Sequence, residues 1–530
     1  MVKSGPRPGF ARNTLWTWTS SALSLTTALV VTPLMIRYLG AEAYGLWILA
    51  FGVAEYYSIA DFGVRSAVLK EVAVHSARGD TAALHATFDT AFVYFAAAGL
   101  LTLAASLIIA PLGPALFPEI TPAMAGTFVV LLAATGVSMA LAFSVTWLGA
   151  VLESVQRFDV SYRIIITANL VRVIGTIGAL LLGYGLVTVV AVSVVARVIE
   201  SVLVYRAFRR IFSDWRWSWA GVTRRTFRGL LGYGVFALPS NAARMLIEQG
   251  PAVIIGHQAP AQFVAYFMMP RRLLQTVMTL VYGIGAVTTS RSAQLAALGD
   301  RHALVHLAIQ TNRYGLAVFM PAAVFVIIYG ADVFRVWLTP EFAVRSAPML
   351  AVFAVGIVFA DASQFSASSM LYGLARHQAF SVLLVCEAVI SSALVFYFAR
   401  SGSVWLAAIA CAAAMILNRG LLTPWLLCRY LRYPLARYLT AVIVPPVTAG
   451  LLTGLVMMIC HSTWLPGRTY PHIGVAILLT SGLFLVIGGR LCVFPEHHSW
   501  VLTIIRGRAP WAEAPVRAWL GIPATTPSVA

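Results

Sequence analysis

Apolar stretches recur along almost the whole chain, from Thr14 to Cys492, and only short polar interruptions separate them. Most are near the ~20 residues that an α-helix needs to cross a bilayer. The interruptions predict fourteen helices, at 14–36, 45–68, 87–110, 123–150, 163–183, 186–205, 230–255, 264–289, 314–330, 348–371, 379–399, 404–427, 439–460 and 473–494. The first two flank a short turn at Leu39–Tyr44, and the second ends in Asp61-Phe-Gly-Val-Arg65, a charged pair at i,i+4 spacing inside otherwise apolar sequence. A hairpin of this kind cannot fold in water, so its charges belong inside a membrane protein.

Composition agrees. The 530 residues are 60% hydrophobic and 11% charged, and mean hydropathy is +0.84. A soluble domain carries about 25% charged residues. The expected fold is therefore an all-α membrane protein, with about 14 transmembrane helices in one polytopic bundle. A net charge of +18 would point to nucleic acid in a soluble protein. Here the basic residues sit in loops beside apolar spans and no nucleic-acid motif accompanies them, so no nucleic-acid partner is expected. With the N-terminus inside, the inner loops and tails hold 25 of the 37 Lys and Arg, which puts both termini in the cytoplasm. The N-terminal run lacks a small-x-small cleavage site and reads as an uncleaved first helix.

The most basic loop, Arg206–Arg228, divides six predicted helices from eight. It sets the expected organisation: residues 1–205 an N-terminal six-helix bundle, 206–229 a cytoplasmic linker and 230–428 a second six-helix bundle. Residues 429–495 then supply two further helices and 496–530 a cytoplasmic tail. An even repeat gives parallel halves about an axis along the membrane normal, and Pro33 and Pro251 fall late in the first and seventh helices. Trp215, Trp217 and Trp219, interleaved with Arg, suit a segment on an anionic leaflet, although a topology-setting linker is the plainer explanation.

Charges in hydrocarbon are expensive, so each should face a partner or a wet cavity. Asp61/Arg65, Arg197/Glu200 and Arg244/Glu248 are spaced to neutralise themselves on one helix face, which could equally be insertion-easing ion pairs. Arg271 and Arg272 have no acidic neighbour on their own helix. Guanidinium suits phosphate oxygens, so an anionic ligand is indicated there. Arg172 and Arg419 are lonelier and fit snorkelling as well. Glu55, Asp361 and Glu387 read as lone intramembrane acids, candidates to carry a proton or cation or, as readily, hydrogen-bonded packing groups. Asp361 opens a polar run, DASQFSASS, and Glu55 precedes Tyr56-Tyr57, whose rings could meet sugars.

Enzyme signals are absent: there is no P-loop, no metal-ligand spacing around Glu496-His497-His498, and no kinase context for the DFG at Asp61. The five cysteines are widely spaced, as expected of packing residues. Neither an enzyme nor a metal site is expected.

The run R37YLGAEAYGLW47, the following D61FGVRSAVLKEVA73 and the later Y266FMMPRRLL274 resemble polysaccharide transporters of the multidrug/oligosaccharidyl-lipid/polysaccharide exporter superfamily, which include the O-antigen flippases. The resemblance implies two six-helix bundles in a V with alternating access, plus two C-terminal helices. It implies a bacterial inner-membrane flippase, acting in lipopolysaccharide or exopolysaccharide assembly, that moves a glycan on polyprenyl pyrophosphate from the cytoplasmic to the outer leaflet as a monomer. Membrane lipid and other polysaccharide-assembly proteins would be its partners. Arg65, Arg244, Arg271 and Arg272 would then hold the headgroup, Tyr56 and Tyr57 the sugars, and Glu55, Asp61, Glu248 and Asp361 would couple transport to a proton or sodium gradient, with no cofactor. The alternatives are a cation-coupled multidrug exporter, whose pocket should show acids in excess, and a non-transporting scaffold of a polysaccharide-synthesis complex.

Overall fold

The computed structural model describes residues 10–235, 238–282, 285–374, 376–497, 502 and 513–519. Every regular element among them is helical. Among the described residues ten helices are long and apolar enough to cross a membrane, or eleven if the bent pair Ala347–Phe359 and Asp361–Gly373 is one span. The chain divides into two compact units, Met1–Met268 with Ser392–Val404, and Met269–Ser391 with Trp405–Ala530.

The first unit begins with α1 (Phe10–Glu55), in which the expected hairpin turn is a kink at Gly40, φ +86°. Glycine takes that left-handed conformation without steric cost, and Ala41, Glu42 and Ala43 let the helix resume at once. One turn on, Gly45 meets backbone: a Cβ there would stand 1.9 Å from the Ala261 carbonyl oxygen. The predicted span 45–68 is not one helix. A 3-10 turn (Tyr56–Asp61) follows α1, then Phe62 and Gly63 are both left-handed, and α2 (Val64–Arg78) starts afresh.

Four long helices follow, α3 (Thr81–Leu116), α4 (Pro122–Ser154), α5 (Phe158–Leu181) and α6 (Leu186–Ile211). The unit continues with α7 (Arg224–Val235) and α8 (Leu238–Gln258). Its core is aromatic, with Phe88, Phe95, Phe143, Trp147, Phe208 and Phe212 all buried. Trp215 joins them. It is 5% exposed, its ring is edge-on to Phe88 and Phe208, and its indole N–H donates to Asp89 Oδ1 at 3.0 Å. The basic loop is thus pinned into the bundle at Trp215, and only Trp217 and Trp219 remain exposed as a leaflet-lying segment would require. Asp89, a further buried acid inside α3, fastens the loop at a second point by accepting the Ser218 N–H at 3.3 Å.

Helix α9 (Ala261–Tyr282) runs on into the second unit, which holds α10 (Gly285–Ala297), α11 (Arg301–Trp337), α12 (Pro340–Arg345), α13 (Ala347–Phe359), α14 (Asp361–Gly373), the part of α15 (His377–Arg400) up to Ser391, and α16 (Val404–Met415) from Trp405 on. A π-helical stretch, Ile416–Leu422, joins α16 to α17 (Thr423–Leu431), and α18 (Leu435–Thr463), α19 (Tyr470–Cys492) and the short α20 (Glu513–Trp519) complete it. The 37 residues of α11 exceed the ~30 Å hydrocarbon core at ~1.5 Å per residue. Its first turns, RHALVHLAIQTNR, are the more polar part of that excess length.

Candidate functional site

The break between α1 and α2 builds the wall of a cavity in the first unit. Two consecutive left-handed residues turn the chain sharply, and Asp61 Oδ1 accepts the Arg65 backbone N–H at 3.0 Å, which satisfies one orphan donor of the new helix. Glu55 ends α1 on the same side. Opposite stands α8, whose Asn241, Arg244 and Glu248 recur at the i, i+3, i+7 spacing of one helix face. Together these residues line a cavity of about 450 Å³ with Gln249 beside them, and Met139 and Phe143 of α4 close it with apolar surface.

Five residues singled out in the sequence therefore converge: Glu55, Asp61, Arg65, Arg244 and Glu248. Their pairings differ from the helical ones expected. The Arg65 guanidinium bonds Glu153 Oε2 at 2.6 Å, at the last turn of α4, with the arginine side chain 39% exposed and the glutamate 19%. Asp61 is engaged by the backbone of Arg65 instead. Arg244 and Glu248 form no ion pair with each other among the described residues, and each faces the cavity. Glu55 is not alone: the Gln249 side-chain amide donates to its Oε2 at 2.6 Å. Only Arg197 and Glu200 pair as their spacing predicts, at 2.7 Å.

The two tyrosines do not line this cavity. The Tyr56 hydroxyl stands against Gly250 of α8, and Tyr57 is within hydrogen-bonding reach of Ser106 on α3. The 3-10 winding after Glu55 changes the angle between successive side chains, so these rings diverge from the acid that precedes them.

Arg271 and Arg272 belong to the second unit and are not part of this lining. Arg271 lies over the Phe353 ring, 5.7 Å from guanidinium carbon to centroid. Asp361 and Glu387, expected as lone acids, are joined by Arg419, expected to be lonely too. Arg419 Nη1 donates to both Asp361 oxygens at 2.8 and 3.0 Å, and its Nε and Nη2 reach Glu387 at 3.0 and 2.9 Å. Asn418 adds a bond to Glu387 at 2.6 Å. Asp361 opens α14 where the backbone bends by 43° from α13, and Arg419 lies on the π-helical stretch. Nearby, Asn312, Tyr438 and Gln364 form a buried hydrogen-bond chain, Asn312 Nδ2 to Tyr438 Oη at 2.6 Å and Tyr438 Oη to Gln364 Oε1 at 3.0 Å.

Glu153, Asn241 and Gln249 were not singled out in the sequence. Asn241 was legible, one turn before Arg244 on its face. Glu153 was not, because 88 residues separate it from Arg65.

A transmembrane helical bundle with a charged internal cavity is the architecture of a membrane transporter, and the comparisons with known proteins agree. Residues 34–347 match the polysaccharide biosynthesis protein family. The match spans more than half of the chain, and the protein belongs to that family, the polysaccharide-transporter branch that its first hairpin resembles. A Shigella flexneri protein assigned as an O-antigen transporter is 22% identical over 422 residues, 79% of this chain and 97% of that one. The uncharacterised membrane protein EpsK of Bacillus subtilis is 24% identical over 347 residues, 63% of this chain and 66% of its own length. Among solved structures the fold is similar to the lipid II flippase MurJ in an inward closed conformation, with a TM-score of 0.67, 14% identity and coverage of 90% of this chain and 98% of that one. An inward-facing multidrug resistance MATE transporter of the MOP superfamily gives 0.63 at 12% identity, covering 79% and 98%. The O-antigen transporter, MurJ and the MATE protein are described as transporters or flippases, and this chain shares their all-helical, multi-pass membrane fold.

Proposed function

We propose that the protein is a flippase that moves a polyprenyl-pyrophosphate-linked glycan from the cytoplasmic to the outer leaflet by alternating access, in a bacterial inner membrane with both termini in the cytoplasm. The observation that carries it is the convergence of Arg65, Arg244 and Asn241 on one internal cavity. The two guanidiniums suit pyrophosphate oxygens, and the amide and carboxylates beside them suit sugar hydroxyls. The apolar wall from α4 suits the lipid. The family match and the O-antigen transporter relative support the same cargo. Of the coupling candidates, Glu55, Asp61 and Glu248 line the cavity, where a proton or cation and the headgroup would be felt together. Asp361 is already bidentate to Arg419, so a coupling role for it would require that arginine to let go.

A cationic drug is the alternative cargo, favoured by one observation: three carboxylates line the cavity against two guanidiniums. Binding to the purified protein separates the two. A fluorescent polyprenyl-pyrophosphate glycan should bind the wild type and bind Arg65→Ala/Arg244→Ala at least about 10-fold more weakly, each charge-assisted contact being worth ~1.5–3 kcal/mol. Tight binding of a lipophilic cation, with no binding of the glycolipid, would favour drug export.

A further inference from the structure

We propose that the second unit carries a binding site for an acidic phospholipid between the start of α11 and the end of α17. A cavity of about 560 Å³ lies there, and its lining holds no carboxylate among the described residues. Of its lining, Arg301, His302 and Arg432 are exposed, Val305, His306, Ile309 and Tyr433 half-buried, and Leu431 buried.

The order of these residues along α11 gives the cavity a polarity gradient. Arg301 and His302 begin the helix, and Ile309 lies about 10 Å further along the axis at ~1.5 Å per residue. Hydrogen-bond donors with the Arg301 charge thus sit where a lipid phosphate would lie, and a stripe of Val305 and Ile309 at i,i+4 spacing leads toward the apolar part of the helix, where an acyl chain would follow. Basic residues at a membrane surface each attract an anionic headgroup.

The backbone of α17 makes this arrangement. The helix ends at Arg432 in the left-handed conformation, φ +44°. Arg301 donates through Nε to the Leu431 carbonyl and through Nη2 to the Arg432 carbonyl, the latter at 2.7 Å. Those bonds commit most of Arg301 to closing the helix end. Arg432 and His302, both exposed, are left to meet a ligand.

Two further observations suit a position at the membrane boundary. Trp425 and Tyr430 on α17 are 46% and 40% exposed, with the Arg429 guanidinium 5.6 Å from the Trp425 ring centroid and that of Arg376 5.2 Å from the Tyr430 centroid. Exposed aromatics partnered by arginine are what an interfacial belt consists of. A second cavity of about 370 Å³ shares His302 and His306 and adds Arg291. Its one acid, Glu496, lies 3.4 Å from His306. The two cavities thus adjoin through His302 and His306 on the first turns of α11.

The test titrates detergent-purified full-length protein with short-chain phosphatidylglycerol, with phosphatidylcholine of equal chain length and with inorganic phosphate alone, and reads the thermal unfolding midpoint. Phosphatidylglycerol should raise the midpoint saturably and phosphatidylcholine should not. The double variant His302→Gln/Arg432→Asn should need at least about fivefold more phosphatidylglycerol, the loss of the Arg432 charge alone being ~1 kcal/mol near an anionic surface. Asparagine is chosen at 432 because it tolerates left-handed backbone. Unchanged helicity of the variant, with an unchanged response of the control Arg345→Gln, excludes misfolding as the cause. An equal rise with both lipids, an equal response of the double variant, or a full effect from inorganic phosphate alone would each overturn the lipid site. A variant that loses helicity is replaced by His302→Gln alone, for which an unchanged lipid response overturns the proposal equally.

Discussion

Arg65 is held by two carboxyl groups that act on different parts of it: Asp61 takes its backbone N–H and Glu153 takes its guanidinium. The side chain remains partly open to the cavity, so an incoming anion would compete with Glu153 for it. Glu153→Gln should therefore strengthen glycolipid binding by about 4- to 13-fold, since a competing charge-assisted bond of ~1.5–3 kcal/mol loses about half its strength with the charge. Equal affinity in a titration of the two proteins would show that the pair is structural only. Gly63, left-handed at φ +73°, should lose about 1 kcal/mol on mutation to Ala, read as a lower unfolding midpoint. Sequence spacing pointed to a side-chain pair of Asp61 with Arg65, whereas Asp61 meets the Arg65 backbone and Glu153 meets its guanidinium. Helical periodicity assumes a continuous helix, and the chain breaks at Phe62, a non-glycine residue in a conformation that its own chemistry does not announce. Arg244 and Glu248 lie on an unbroken helix, and their common face was legible from spacing alone.

Among the elements, the broken helices of the second unit are tied by one guanidinium. Asp361 at the α13–α14 bend and Glu387 on α15 share Arg419, 58 and 32 residues away in the chain. No local pattern reveals such a triad, which is why each member looked solitary. Removing the arginine would leave two carboxylates in a largely buried place. Arg419→Met should cost ~3–5 kcal/mol of stability, and adding Asp361→Asn and Glu387→Gln should restore most of it. A triple variant as unstable as the single would mean that Arg419 works through packing rather than charge. The loop after α6 has a comparable anchor. Trp215 fills an aromatic core, so Trp215→Ala should destabilise by ~3–5 kcal/mol, whereas the exposed Trp219 should tolerate Ala within about 0.5 kcal/mol. Nothing in the run Trp-Arg-Trp-Ser-Trp distinguishes its three rings, because burial of the first depends on Asp89 and Phe88 from a distant helix.

For the whole molecule, hydropathy was the strongest signal, since a bilayer demands long apolar helices with internally satisfied backbone. The membrane class and the all-helical fold followed from it, as did the family from the first hairpin. The charged cavity was half legible: five of its residues stood out as costly charges, but their meeting depends on how α1, α4 and α8 pack. The most direct measurement is translocation of a polyprenyl-pyrophosphate glycan in proteoliposomes, scored by its accessibility on the far leaflet, with and without an imposed proton or sodium gradient. We expect translocation by the wild type and its collapse in Arg65→Ala/Arg244→Ala protein that inserts normally. Glycolipid translocation unchanged in that variant, or none by folded wild-type protein under either gradient, would contradict a glycan-flipping role for this cavity.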